Sequence, residues 1–284
     1  MALNPSITLY TYAMSPFAEK VHCCLLYKQL HFQCHYLNPL RLKKDLPVGH
    51  QIPVLTINGE SRADSTPIAE WLDECFPEQP RLLPEAGAER ERLLDIDQWI
   101  SHRLIPGHFR AYPGEGWNRQ RIENAWVLSH VMNKTAHGGL PWILRKLWPL
   151  IIASQGFIRH MLAMTDLDTP LPQAKRKLFA EFVEKLDGGP FLGGRNTPSL
   201  PDFSAFPLFA VPWMVNFHHS DDVLEFPEII AWLQRLQPYL SSTPPLLPQT
   251  VVERSLDTLF DGVQQHSKPV LPTNCATAPP HADH

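Results

Sequence analysis

No run of about 18 uncharged apolar residues occurs in the chain, so no stretch reads as a membrane-spanning helix. The nearest approach, Leu140 to Met164, is interrupted by Arg145, Lys146, Arg159 and His160. A basic segment followed by an apolar run is also missing from the N-terminus, so no signal peptide is expected. Cysteine is scarce. The five residues (Cys23, Cys24, Cys34, Cys75 and Cys275) show neither CxxC spacing nor a pairing scheme, which fits a reducing compartment and makes the cytoplasm the expected location. Positive charge is not in excess either. With 25 Lys and Arg against 29 Asp and Glu the net charge is −4, which argues against nucleic acid as the main partner. What remains is a chain of 284 residues, 44% hydrophobic, long enough for two domains with a proper core.

The first eighty residues alternate strand and helix patterns. Ile7 to Tyr12 alternate and are rich in β-branched and aromatic types, as a short strand requires. Pro16 stands where a helix tolerates proline best, in its first turn, and Phe17, Val21, Cys24 and Leu25 then recur at helical spacing with Glu19 and Lys20 on the other face. Ser15 is thereby presented at a helix N-terminus, where free N–H groups and the positive dipole end favour an anion. It can act as a simple N-cap, or its hydroxyl can donate to a thiolate. Such a charge-assisted bond is worth about 1.5–3 kcal/mol, or about one to two pKa units on a bound thiol.

His31 to Tyr36 reads as a second strand, and Asn38 to His50 as a polar segment with a basic cluster at Arg41, Lys43 and Lys44. Gln51 to Ile57 reads as a strand with Pro53 near its start, where proline owes no ladder bond and an X–Pro bond can be cis. Asn58-Gly59 is a strong hairpin turn, pairing back a strand through Ser61 to Ala63. Asp64-Ser65-Thr66-Pro67 then opens a helix whose apolar positions are Ile68, Trp71, Leu72 and Cys75.

The order SPFAEKV, QIPVLTINGE, ADSTPIAEWLDECFPEQPRLLP resembles the thioredoxin-like N-terminal half of cytosolic glutathione S-transferases, with the Omega class most similar in register. Ser15 stands where that class has its catalytic cysteine. The resemblance implies an α/β thioredoxin-like N-terminal domain followed by an all-α C-terminal domain, with domains at 1–83 and 84–245; the Pro-rich, finally polar residues 246–284 read as a poorly ordered tail. It also implies glutathione as co-substrate, a homodimer, and a glutathione site made by Ser15, Phe17, Ile52, Pro53, Asp64 and Ser65. Pro53 would be the family's cis-proline, with Ile52 offering backbone groups to the cysteinyl moiety. Asp64-Ser65 would hold the γ-glutamyl end. Tyr12 is the second choice for the hydroxyl donor, because some classes use a tyrosine near the end of the first strand.

The residues suit that ligand on physical grounds. Glutathione carries two carboxylates, one ammonium and one thiol. A helix N-terminus at Ser65 suits a carboxylate, Asp64 suits the ammonium, and an extended segment at Ile52 can pair with a peptide backbone. Arg41, Lys43 or Lys44 could meet the glycyl carboxylate, or the cluster could be a solvated loop.

Beyond a short linker at Pro84 to Gly87 the chain reads as helical: Ala88 to Leu104, Asn118 to Met132, Leu140 to Met164, and Pro170 to Leu186. Ser199-Leu-Pro-Asp202 is a capping arrangement, similar to the folding box before the core helix of the family's C-terminal domain. Trp117, Trp126, Trp142 and Trp148 are expected in the core, the alternative being an acceptor pocket. A short helix is expected at Val252 to Val263, within a Pro-rich tail. His218-His219 with Asp221-Asp222 reads as a solvated turn, and no metal site is expected. A serine at position 15 cannot form the mixed disulfide that a cysteine would, so attack of a glutathione thiolate on a hydrophobic electrophile is the expected chemistry. The alternative is a glutathione transferase fold kept as an inactive scaffold or interaction protein.

Overall fold

The computed structural model describes residues 5–111, 119–151 and 156–266. Strand β1 (Ile7–Thr11) buries Ile7, Leu9 and Thr11 in strict alternation. Strands β2 (Gln33–Tyr36), β3 (Val54–Ile57) and β4 (Glu60–Ala63) complete a four-stranded sheet of order β2-β1-β3-β4, with β1 and β2 parallel and the other pairs antiparallel. Asn58 and Gly59 join β3 to β4, both at positive φ as a primed two-residue turn demands. Helix α1 (Pro16–Tyr27) connects the parallel pair, a one-turn α2 (Leu42–Asp45) lies in the expected polar segment, and α3 (Ser65–Cys75) packs beside α1.

The helical half begins with α4 (Ala88–Trp99). Its helix does not stop at Leu104. A wider turn over Ile100–Leu104, in which the Ile105 N–H reaches back to the Ile100 carbonyl, carries it into α5 (Ile105–Phe109). Helices α6 (Arg119–Thr135), α7 (Trp142–Ile151), α8 (Gly156–Ala163) and α9 (Leu171–Glu184) follow, so the expected single stretch Leu140–Met164 contains two helices. Helix α10 (Leu200–Met214) is the centre of this half: all of it but Pro212 and Met214 is buried. A helix apolar on every side is expected to be a core helix. Helix α11 (Pro227–Leu240) and α12 (Leu256–His266) pack outside it.

Glu19 and Lys20, opposite the apolar stripe of α1, are 1% and 2% exposed, because α1 is covered by the sheet on one side and by α10 on the other. Two expectations need correction. Trp126 and Trp142 are not core; α7 lies against α6 as an outer layer, leaving both rings exposed. Trp117 and the Trp148 side chain lie outside the described residues. The tail expected from residue 246 is packed against the core through Leu259, and its helix runs to His266. Leu246, Leu247, Val251 and Leu259 are buried, the Trp213 indole donates to the Ser255 carbonyl (3.1 Å), and the helix starts at Leu256 rather than Val252. The prolines there punctuate a strap whose apolar residues reach the core. Residues 267–284, Cys275 included, lie outside the described part.

Candidate functional site

Strand register gathers the candidate residues. Tyr10 pairs with Val54, Val54 with Ala63, and Thr11 with Tyr36. The Tyr12–Ser15 connection, Ile52-Pro53, Asp64-Ser65 and the segment leading to α2 therefore all leave the sheet at one end. The Ile52–Pro53 peptide is cis, and the Asp64 N–H donates to the Pro53 carbonyl (3.3 Å), which ties two of these connections together.

Ser15 is the N-cap residue of α1, with Pro16 at the first helical position. Its own N–H donates to the Tyr12 carbonyl (3.1 Å) and its carbonyl receives the Glu19 N–H (2.8 Å). The hydroxyl makes no capping bond, so it is uncommitted at the positive end of the helix. Asp64 is exposed at φ 74°, and Ser65, the first residue of α3, is buried. Neither side chain caps α3. Phe17 is half-buried, its ring 6.4 Å from Phe157, which in turn stands 5.2 Å from Phe109, both edge-on. An apolar wall thus borders the start of α1. On α2, Arg41 pairs with Asp45 (3.5 Å), whereas Lys43 and Lys44 have no carboxylate partner among the described residues. Tyr12 is half-buried, and desolvation pushes its phenol up to about 12, so the group is a neutral donor at ordinary pH.

Next to Ser15 on α1 lies a buried polar layer. Glu19, one helical turn after Ser15, is fully buried; desolvation drives its carboxyl well above the usual range, against a hydrogen bond from the Met14 backbone. His22 donates from Nε2 to the Pro244 carbonyl (3.0 Å), which leaves Nδ1 as the acceptor facing Cys34 Sγ (3.7 Å). Burial pushes this imidazole down to about 4.

Next to it, Lys20 Nζ binds both oxygens of Asp97 (2.8 Å each) and Thr66 Oγ1 (2.8 Å). Thr66 Oγ1 and Ser204 Oγ also donate to Asp97. The network joins α1, α3, α4 and α10, and so locks the first turn of α3 to the helical half. Asp97 had a visible signal: with Leu93, Ile96 and Ile100 it falls on the apolar face of its helix.

His218 and His219 form a turn, as expected. Asp222 there is held by Lys175 Nζ (2.6 Å), which also binds the His219 carbonyl (2.9 Å). Among the described residues no group of three or more His, Cys, Asp or Glu is arranged to hold a metal. No helix of the described residues is long and apolar enough to cross a membrane.

Comparison with known proteins agrees with this geometry. Residues 9–80 match the family model described as "Glutathione S-transferase, N-terminal domain". A probable glutathione S-transferase GSTU1 of Oryza sativa subsp. japonica is 33% identical over 93 residues, covering 31% of this chain and 40% of that protein. A probable maleylacetoacetate isomerase of Vibrio cholerae serotype O1 is 39% identical over 119 residues, 36% of this chain and 50% of that one. The matched stretches thus span half or less of these relatives' lengths. The crystal structure of rice GST1 in complex with glutathione superposes with a TM-score of 0.55 at 17% identity, over 93% of this chain and 97% of that one. The chain has the glutathione S-transferase fold, a thioredoxin-like α/β domain followed by a mostly helical remainder, and within it residues 9–80 match the N-terminal domain model of that family.

Proposed function

We propose that this protein is a glutathione transferase in which Ser15 stabilises the glutathione thiolate for attack on a hydrophobic electrophile. The observation that carries the reading is the convergence, at one end of the sheet, of three ligand-type groups that make no capping bond or ladder bond among the described residues: the Ser15 hydroxyl, the Ile52 backbone, and Asp64 with Ser65. Asp64 meets the ammonium of the γ-glutamyl group, and Ser65 with the α3 N-terminus meets its carboxylate. Ile52, outside the ladder before β3, pairs with the peptide backbone beside Pro53. Lys43 or Lys44 takes the glycyl carboxylate.

With the thiol held at the N-terminus of α1, the Ser15 O–H donates to sulfur and the thiol proton passes to solvent. The sulfur lone pair then forms an S–C bond to the electrophile, and a leaving group, where there is one, departs with its bonding pair. Phe17, Phe109 and Phe157 supply an apolar wall for that second substrate. Serine in an Omega-like register favours this conjugation over thiol–disulfide exchange. A division near residues 83 and 84, a homodimer and a cytoplasmic setting complete the reading on resemblance alone.

Calorimetric titration with reduced glutathione, followed by a thiolate difference spectrum of the complex, tests it. Binding with a depressed thiol pKa, lost in Ser15→Ala while affinity changes only a few-fold, is the expected result. Full conjugation by Ser15→Ala would transfer the role to Tyr12. No binding of glutathione at all would leave the fold a scaffold.

A further inference from the structure

Residues 124–165 contain none of the chain's 29 Asp and Glu, although acidic residues make up about a tenth of the sequence. They do contain Lys134, Arg145, Lys146 and Arg159, in a protein whose net charge is −4. None of these four cations has a carboxylate partner among the described residues. The contrast with the rest of the surface is sharp: Arg62, Arg81, Arg92, Arg103 and Arg176 are all paired.

The same region carries most of the large apolar side chains that are exposed among the described residues. On α7, Trp142 is 64% exposed, Ile143 51% and Leu150 56%. Ile143, Leu147 and Leu150 follow i, i+4, i+7 spacing and so form one stripe along the helix, flanked by Arg145 and by Lys146, whose Nζ lies 5.1 Å from the Trp142 ring centroid. Helix α6 adds exposed Trp126, and α8 adds exposed Phe157 beside Arg159. A soluble surface ordinarily scatters such side chains singly; gathered on one helix, they mark a face that is covered in use.

We propose that this outer face of α6–α8 docks the protein on the surface of a membrane bearing anionic lipid. The charge pattern selects the occupant. A second copy packed symmetrically on this face would set unneutralised cations against cations, with no acidic residue in the segment to answer them. The chain's own residues 267–284 hold one lysine and one aspartate and supply no complementary charge. Nucleic acid would satisfy the cations but not the Trp142–Leu150 stripe. An anionic lipid interface meets both demands: its headgroups face the cations, and its acyl boundary accepts Trp, Ile and Leu side chains. Phe157, exposed on α8, stands 6.4 Å from Phe17 at the start of α1, ring centroid to ring centroid. The proposal does not depend on glutathione chemistry.

Co-sedimentation of the full chain with phosphatidylcholine vesicles, with and without phosphatidylglycerol, tests it. Binding is expected only where phosphatidylglycerol is present, and should be strongly reduced at about 1 M salt, where the screening length falls to ~3 Å. Each cation near such a surface is worth about fivefold in affinity, so Arg145→Glu/Lys146→Glu/Arg159→Glu should weaken binding by roughly 100-fold or more. Leu147→Asp/Leu150→Asp, at exposed positions, should abolish binding while leaving the melting temperature unchanged. Failure to sediment with phosphatidylglycerol, equal binding to neutral vesicles, or wild-type binding by the charge-reversed variant would overturn the proposal. So would retention on a DNA duplex without vesicle binding, or a concentration-dependent dimer that Leu147→Asp/Leu150→Asp dissolves.

Discussion

Replacing Asp97 by alanine removes the carboxylate on which Lys20, Thr66 and Ser204 all converge. Lys20 and Asp97 are 2% and 3% exposed, so water cannot easily replace the lost partner. Breaking a buried ion pair from one side costs about 3–5 kcal/mol, chiefly because the remaining charge stays buried and uncompensated. That is about a third of the 5–15 kcal/mol that holds a typical domain together. At the 2–4 °C per kcal/mol typical of chains of roughly 150–250 residues, the melting temperature should fall by about 10 °C. The decisive arm is the double variant Lys20→Met/Asp97→Leu. Removing both charges replaces the pair with packed hydrocarbon and should recover most of the loss, since apolar replacement of a buried pair is often neutral or better. Urea unfolding of the two single variants and the double gives the coupling directly. An Asp97→Ala cost below about 1 kcal/mol, or a double variant no more stable than the worse single, would refute the claim that burial makes this network costly to break.

Ser15→Ala should raise the pKa of bound glutathione thiol by about one to two units, and Ser15→Cys should acquire a mixed disulfide with glutathione, detectable by mass spectrometry. His108 is half-buried, and desolvation pushes it from 6.5 to about 3, below its unfolded value, so on acidification protons bind the unfolded chain first and this histidine's contribution to stability falls. His108→Leu removes that titration; relative to wild type it should gain up to about 1.4 kcal/mol per pH unit between pH 6.5 and 4, read from denaturant melts at each pH, and parallel pH curves would contradict it. Asp202 accepts from the Ser199 N–H (2.9 Å), the Leu192 N–H (3.0 Å) and the Trp232 indole (2.8 Å), so Asp202→Ala should cost about 3 kcal/mol or more in unfolding free energy by leaving buried donors unpaired. A Cβ at Gly189 would lie 2.5 Å from the Gly194 carbonyl carbon, so Gly189→Ala should destabilise by about 1–3 kcal/mol, and an unchanged melting temperature would contradict that close approach.

Local signals in the sequence determined a good deal of this protein. Alternation in Ile7–Thr11, the Asn58-Gly59 turn, Pro16 at a helix start and the Ser199–Asp202 box each specify their element through short-range sterics and hydrogen bonding, and each stands where the sequence places it. The cis peptide before Pro53 also agrees.

What a helix or segment packs against is a different kind of information, and only the tertiary structure decided it. Helical periodicity puts Glu19 and Lys20 opposite the apolar stripe and carries no record of what covers that side. The sheet and α10 cover α1 from both sides, and both charged residues are buried. The reverse holds for Trp126 and Trp142: hydrophobic composition favours the core, but among the described residues no layer packs over α6 and α7 to cover them. Proline content suggested an unordered tail after residue 245, yet Leu246, Leu247 and Val251 find room in a core built from residues far away in the chain, and the Pro244 carbonyl reaches His22. Local pattern sets the elements. Burial depends on what lies across the interface, and a single chain read in order carries no direct record of that.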